Sequence, residues 1–138
     1  MKNKTYDIYI SSDRPALNAL KTKQRRIALV DALQDLGHHP QVIEGQYNGV
    51  SEQSYRLKGV SLGSTANQII KIAAALDQES ILLVETLKHT KLASLYYLSG
   101  AYAKTLEAIG YFKEEREKPS DGRDYSFNIK NKTYSYVV

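Results

Sequence analysis

The stretch that decides the fold reads Glu44-Gly45-Gln46-Tyr47-Asn48-Gly49-Val50-Ser51-Glu52-Gln53-Ser54-Tyr55-Arg56-Leu57. Just before it, Gln41-Val42-Ile43 is rich in residues that favour strands. After Glu52 the residues alternate between polar and apolar side chains, which is the period of a half-buried strand. Because a short connection containing Gly49 separates the two runs, the pattern predicts two strands around a turn or a crossover.

Two side chains at this joint are candidates for chemistry. Glu52 lies where a strand begins, although strands are poor in Glu, and Tyr47 carries an aromatic hydroxyl at the end of the preceding strand. A polar group held at a strand end is a common way to present a functional side chain. The simpler interpretation is a solvated loop acid at Glu52 and a half-buried packing residue at Tyr47. These residues alone leave both interpretations open.

The rest of the chain adds helices and strands on both sides of this stretch. Hydrophobic periodicity predicts a strand over residues 6–10, a helix over 16–36, a helix over 65–77, and strands over 81–84 and 92–98. Residues 106–112 fit either a helical turn or a strand edge. Pro119 and Gly122 indicate a mobile loop over 114–123, and a closing hairpin follows over 125–138.

The order strand, helix, strand, strand, helix, strand is that of a ferredoxin-like α+β fold. We therefore expect a single α+β domain over residues 1–138, with an antiparallel sheet, two helices on one face and extra C-terminal strands. The other sheet face would be free and would carry Tyr side chains. Such a face invites ligand binding or oligomerisation.

Composition excludes several classes of protein. The 138 residues include 42% hydrophobic and 25% charged residues, as in an ordinary soluble globular protein. The absence of cysteine excludes disulfides and thiolate metal sites, and the adjacent His38 and His39 cannot face one metal ion, so we expect no metal. No apolar run is long enough to span a membrane and no signal peptide is visible, which makes the cytoplasm the default location.

The net charge of +4 helps an anionic ligand to approach but does not identify one. The basic cluster over residues 21–26 and the mixed cluster over 113–118 fit solvated surfaces. We find no Walker-type Gly-Lys-Ser/Thr, no G-x-G-x-x-G and no G-x-S-x-G motif. If the protein is an enzyme, its reaction therefore needs no strong base, metal or covalent nucleophile.

Several segments together resemble a known family. They are Gly45-Gln46-Tyr47, Glu52 ahead of an alternating strand with Arg56, an Ala-rich helix ending in Gln78, and Ser80-Ile81-Leu82-Leu83-Val84. Over about residues 5 to 101 this arrangement is similar to the phage-encoded S-adenosylmethionine lyases, long called hydrolases. It also resembles an uncharacterised family of small bacterial and phage domains, which could bind a ligand without turning it over.

The resemblance implies cleavage of S-adenosylmethionine to methylthioadenosine and homoserine lactone by attack of the substrate's own carboxylate. It implies no cofactor, a homotrimer with sites between subunits, and a phage anti-restriction role in the host cytoplasm. Glu52 and Tyr47 would be the catalytic residues, with Glu52 positioning the substrate rather than acting as a general base. Weaker candidates for substrate contacts are Ser11, Arg14, Gln46, Gln78 and Ser80.

Two other functions remain open at this point. The first is a non-catalytic protein that binds a nucleotide or S-adenosylmethionine and so sequesters or senses it. The second is a nucleic-acid-binding module with aromatic and basic residues on the free sheet face. The nucleic-acid function is compatible with the aromatic residues Tyr125, Phe127, Tyr134 and Tyr136 but is not required by them. We expect no nucleic-acid partner.

Overall fold

The computed structural model describes residues 4–14, 16–47, 49–61 and 63–138. Within these ranges the helices are α1 (Ala19–Asp35) and α2 (Ser64–Ala75). The strands are β1 (Thr5–Ser11), β2 (Gln41–Tyr47), β3 (Val50–Ser61), β4 (Ser80–Thr86), β5 (Lys91–Tyr97), β6 (Leu106–Glu115), β7 (Tyr125–Asn128) and β8 (Thr133–Val137). Asn48, part of the predicted turn between β2 and β3, lies outside the described residues.

The strands form a closed antiparallel barrel in the order β1-β3-β2-β7-β8-β6-β5-β4. The predicted ferredoxin-like α+β fold with an open sheet is therefore wrong. The first four strands are neighbours in the order β2-β3-β1-β4, but β7 pairs with β2, β6 pairs with β5, and β8 joins β6 to β7. These pairings satisfy the backbone groups that both sheet edges would otherwise expose. As a result, the face expected to be free becomes the inside of a barrel.

Most elements were predicted at nearly the right places. Helix α1 begins at Ala19 because the side chain of Asn18 accepts a hydrogen bond from the backbone N–H of Lys21 at 2.9 Å. The ambiguous residues 106–112 belong to β6, which extends to Glu115 and so shortens the loop predicted to begin at residue 114.

Both helices cover the outer surface of β1, β3 and β4. The outer core, as we call this layer, contains only apolar or aromatic buried residues: Ile8, Ile10, Leu29, Leu33, Tyr55, Leu57, Val60, Ile69, Ala73, Ile81 and Leu83. Burying one large aliphatic side chain stabilises a protein by about 1.5–3 kcal/mol. This layer is therefore a main source of stability. Neither described helix is long and apolar enough to cross a membrane.

The inside of the barrel has a different character. Its apolar part, the inner core, consists of Tyr9, Ile43, Val84, Ala93 and Phe112. The rings of Tyr9 and Phe112 meet edge to face with centroids 5.7 Å apart. Since strand side chains alternate between faces, each barrel strand contributes to the outside with one set of residues and to this interior with the other.

Candidate active site

A cavity of about 310 Å³ opens within the barrel. Its apolar lining is contributed by Ile10, Leu82, Leu95, Ile109, Phe112 and Val137. Its polar lining comes largely from residues at strand ends, because successive antiparallel strands begin and finish at the same end of the barrel. These residues include Ser11 at the end of β1, Tyr47 at the end of β2, Glu52 near the start of β3, Ser80 at the start of β4 and Tyr125 at the start of β7.

Glu52 and Tyr47 both line this cavity. The β2–β3 register sets Glu52 opposite Gly45, two residues before Tyr47. A Cβ atom on Gly45 would lie only 2.4 Å from Cε2 of Tyr47, so the Tyr47 ring lies across the glycine. Because Gly45 has no side chain, the Tyr47 ring can lie against it, next to β3, the strand that carries Glu52.

The Tyr47 hydroxyl is held inside the protein. It shares a short hydrogen bond with the Ser126 hydroxyl from β7, and either oxygen can be the donor. Burial raises the pKa of Tyr47, and the negative charges of Glu52 and Asp124 raise it further, while hydrogen bonds to Ser126 and Ser54 act in the opposite direction. Tyr47 is therefore a neutral phenol at physiological pH.

Burial also raises the pKa of Glu52, and the neighbouring carboxylate of Asp13 raises it further. A hydrogen bond with Ser11 acts in the opposite direction. An acid that is held partly out of water, near a second acid, binds a cationic group more strongly than a solvated glutamate would. Glu52 is thus well suited to hold a positive charge.

The weaker candidates divide into two groups. Ser11, Gln78 and Ser80 line the cavity together with Glu52 and Tyr47. Arg14 instead donates a short hydrogen bond to the carbonyl oxygen of Asp77, outside the cavity. Gln46 lies between Gly45 and Tyr47 on β2, and alternation turns its side chain to the other face of the strand.

Sequence reasoning missed several residues of the cavity. Tyr9 could have been found, because the alternation of β1 puts it on the same face as Ser11. Burial raises the pKa of Tyr9 to about 12, although the charge and hydrogen bond of Arg56 lower it. Asp124, Tyr125 and Ser126 also line the cavity, but they join it only through the pairing of β7 with β2. No local sequence pattern predicts the pairing of β7 with β2.

The charge of the cavity favours a cation. Its lining includes the acids Glu52 and Asp124, and none of its lining residues in the described part of the chain is Lys or Arg. One arginine, Arg56, lies buried behind this lining and interacts with Tyr9. The described residues also contain no group of three or more His, Asp or Glu side chains that could hold a metal ion. The site can therefore orient a cationic organic ligand of moderate size with one apolar portion.

Comparison with known proteins agrees with this chemistry. The family model described as the S-Adenosylmethionine lyase family matches residues 8–138, which includes the C-terminal strands that form part of the cavity. No curated protein matches the chain. The chain belongs to the S-adenosylmethionine lyase family, which confirms the resemblance noted from its sequence.

Proposed function

We propose that this member of the S-adenosylmethionine lyase family cleaves S-adenosylmethionine to methylthioadenosine and homoserine lactone. The observation that supports this most is the charge of the cavity, with Glu52 and Asp124 in its lining and no described Lys or Arg. The substrate carries a sulfonium and an ammonium group, and both are attracted to such a site. None of the described residues that line the cavity is a Lys or Arg that would hold the substrate's carboxylate, which stays free to react.

The reaction needs no external nucleophile. A carboxylate oxygen of the substrate attacks its own γ-carbon and forms the C–O bond of a five-membered lactone. The bond from that carbon to sulfur breaks, and its electron pair returns to sulfur, which leaves as a neutral thioether. Atoms and charges balance without a proton transfer, a metal or a cofactor. The protein has to supply the folded conformation of the substrate, which is an effect of orientation.

Glu52 acts best in this scheme on the substrate's ammonium group. The sulfonium loses its charge in the transition state, so a carboxylate that stabilised it strongly would favour the ground state and slow the reaction. The ammonium keeps its charge throughout, and an ion pair with Glu52 fixes the amino-acid end without that penalty. Glu52 is then a positioning carboxylate rather than a general base.

Tyr47 offers a neutral ring and a hydroxyl next to Glu52. Its ring can face the sulfonium by a cation–π contact, or its hydroxyl can hold the amino-acid end. We assign Ser11, Gln78 and Ser80 to further polar contacts with the substrate, since all three line the cavity. Arg14 would act indirectly, through its hydrogen bond to the carbonyl that precedes Gln78, and Gln46 through the strand that carries Tyr47.

Three further parts of the proposal rest on the family resemblance. They are assembly as a homotrimer with sites between subunits, an anti-restriction role for a phage, and action in the host cytoplasm. Light scattering coupled to gel filtration tests the trimer directly.

The decisive experiment is incubation of the purified protein with S-adenosylmethionine. We expect methylthioadenosine to form, with homoserine lactone trapped by hydroxylamine before homoserine appears. Homoserine without lactone would indicate a hydrolase. Saturable binding of S-adenosylmethionine with no product would support the non-catalytic binding protein instead.

A further inference from the structure

An ion pair lies behind Glu52 and connects helix α1 to the end of β1. Arg26 donates from Nε to Oδ1 of Asp13 at 2.8 Å and from Nη2 to Oδ2 at 2.6 Å. This two-point geometry is the strongest arrangement of a guanidinium and a carboxylate. The side chains are only 33% and 14% exposed, so solvent screens the pair less than it screens one on the open surface.

Asp13 also contacts both sides of the candidate site. Its Oδ2 accepts a hydrogen bond at 3.0 Å from the backbone N–H of Gln53, the residue after Glu52. Its own backbone N–H donates at 3.1 Å to the hydroxyl of Ser11, which in turn donates at 2.8 Å to the carbonyl of Gln53. Asp13 therefore fixes β3 near Glu52 and the end of β1 relative to each other, through its carboxylate on one side and its backbone N–H on the other.

The basic cluster over residues 21–26 was predicted to be solvated surface, and this prediction was wrong for two of its members. Arg26 makes the ion pair with Asp13, and Arg25 donates from Nε to the carbonyl of Ser12 at 2.9 Å. Both arginines thus fasten the segment that follows β1 to helix α1. Their sequence spacing shows no sign of this, since the segment they hold is 13 residues away.

We propose that Arg26 is a positioning residue for Glu52, because it neutralises Asp13 and thereby keeps the Glu52 carboxylate charged and in place. The proposal rests on the role of Glu52 in the proposed function. The other acidic or phenolic residues that line the cavity or the adjoining outer groove together with Glu52 are Tyr9, Glu44, Tyr47, Asp124, Tyr125, Tyr134 and Tyr136. Among the described residues that line these two spaces, Arg26 is the one cation. Arg56, further along β3, is buried and interacts with Tyr9.

The proposal predicts opposite effects from the two halves of one ion pair. In Arg26→Met, Asp13 keeps its charge without a counterion, so the pKa of Glu52 should rise by about 0.5–1 pH unit. In Asp13→Asn, the negative neighbour is gone and Arg26 remains, so the pKa of Glu52 should fall by a similar amount. If the ion pair were merely structural, both variants would lose stability, and the pKa of Glu52 would not shift in opposite directions.

The measurement is a pH titration of the Glu52 side-chain carboxyl by NMR, on protein labelled with carbon-13 in glutamate and assigned with Glu52→Gln. Lys23→Met is the matched control, because Lys23 is exposed on the same helix and its loss changes the net charge equally. We expect it to leave the pKa of Glu52 unchanged. Arg26→Lys keeps the charge and should hold the pKa near the wild-type value even if the pairing geometry is imperfect.

The titration needs no turnover, so it separates this proposal from the proposed function. Shifts of the Glu52 pKa in the same direction in Arg26→Met and Asp13→Asn, or no shift in either, would overturn the role of Arg26. Opposite shifts in a protein that forms no methylthioadenosine would support the coupling and refute the lyase activity. In an active protein, the acidic limb of kcat/KM should move with the pKa of Glu52 in each variant.

Discussion

The outer core and the barrel cavity are made from alternate residues of the same strands, yet they differ in composition. Along β1, Ile8 and Ile10 belong to the outer core, while Tyr9 and Ser11 line the cavity, which Ile10 also borders. Along β4, Ile81 and Leu83 belong to the outer core, while Ser80 and Leu82 line the cavity. In both strands the residues buried beneath the helices are apolar, whereas the cavity face mixes apolar side chains with hydroxyls.

This difference separates stability from function within each strand. Apart from Tyr55, whose hydroxyl accepts a hydrogen bond from Gln53, the outer core buries side chains that need no hydrogen bond, so each one contributes favourably to folding. The cavity keeps an acid partly out of water, which opposes folding at neutral pH but strengthens its hold on a cation. Substitutions in the outer core should therefore cause large losses of stability, whereas substitutions in the cavity should cause large losses of activity.

The largest loss of stability should come from the outer core. Leu33 is completely buried, and Leu33→Ala would leave a cavity between α1 and the barrel. We expect the free energy of unfolding to fall by about 2–5 kcal/mol. Below the unfolding transition, kcat/KM per folded molecule should stay near that of the wild type. Leu20→Ala on the same helix is the control, since Leu20 is 65% exposed and its removal should change the free energy of unfolding little.

The cavity should show the reverse in Glu52→Gln. We expect kcat/KM for S-adenosylmethionine to fall roughly 100-fold, because a neutral amide cannot form the ion pair with the ammonium group. Steady-state formation of methylthioadenosine measures this loss. Undiminished turnover by a folded variant would remove Glu52 from the mechanism.

The free energy of unfolding of Glu52→Gln provides a second, independent test. Because folding raises the pKa of Glu52, the folded state binds this proton more tightly than the unfolded state does. The resulting stabilisation is present at low pH and is lost as pH rises through the folded pKa. Glu52→Gln is neutral at every pH, so at pH 7 it should be at least as stable as the wild type in chemical denaturation. A clear loss of stability at pH 7 would mean that Glu52 has a structural role.

Gly45→Ala tests how the backbone of β2 places the Tyr47 ring. The added methyl would stand 2.4 Å from Cε2 and 2.7 Å from the hydroxyl oxygen of Tyr47, so the ring must move. Gly45 does not have the positive φ that would strain an alanine, and the whole effect should come from this collision. We expect a loss of about 1–3 kcal/mol in the free energy of unfolding and a drop in kcat/KM of about tenfold.

A double-mutant cycle identifies the collision as the cause. In a Tyr47→Ala background the methyl at Gly45 meets no ring, so adding Gly45→Ala should have little further effect on stability. Additive losses in the double variant would show that residue 45 matters for another reason, such as the pairing of β2 with β3 or β7.

The comparison of the two faces also explains what the sequence could predict. Period-two alternation and helical periodicity identified nearly every element, and β1 alone carried enough pattern to place Tyr9 beside Ser11. Glu52 and Tyr47 were identified because they sit at the ends of two strands joined by a short turn. These are local signals. Of the five further candidates, which came from the family resemblance, Ser11, Gln78 and Ser80 also line the cavity.

Barrel closure could not be predicted in the same way. It depends on β7 pairing with β2 across about 80 residues, and an unpaired strand edge carries no sequence mark of its future partner. The open sheet was favoured by the order strand, helix, strand, strand, helix, strand, which contains no sign of closure. Ser126 was therefore missed, although its hydroxyl meets that of Tyr47.

The smallest effect should come from Tyr47→Phe, which removes the hydroxyl and keeps the ring. Ser126 is only 4% exposed and would lose its bond to Tyr47, so the free energy of unfolding should fall by about 1 kcal/mol. If the ring faces the sulfonium, kcat/KM should stay within a few-fold of the wild type, while Tyr47→Leu should lose far more. Equal losses of activity in the Phe and Leu variants would instead assign the contribution to the hydroxyl. Comparison of the losses of stability and activity in Tyr47→Phe and Tyr47→Leu with those in Leu33→Ala shows whether Tyr47 contributes mainly to packing or to binding the substrate.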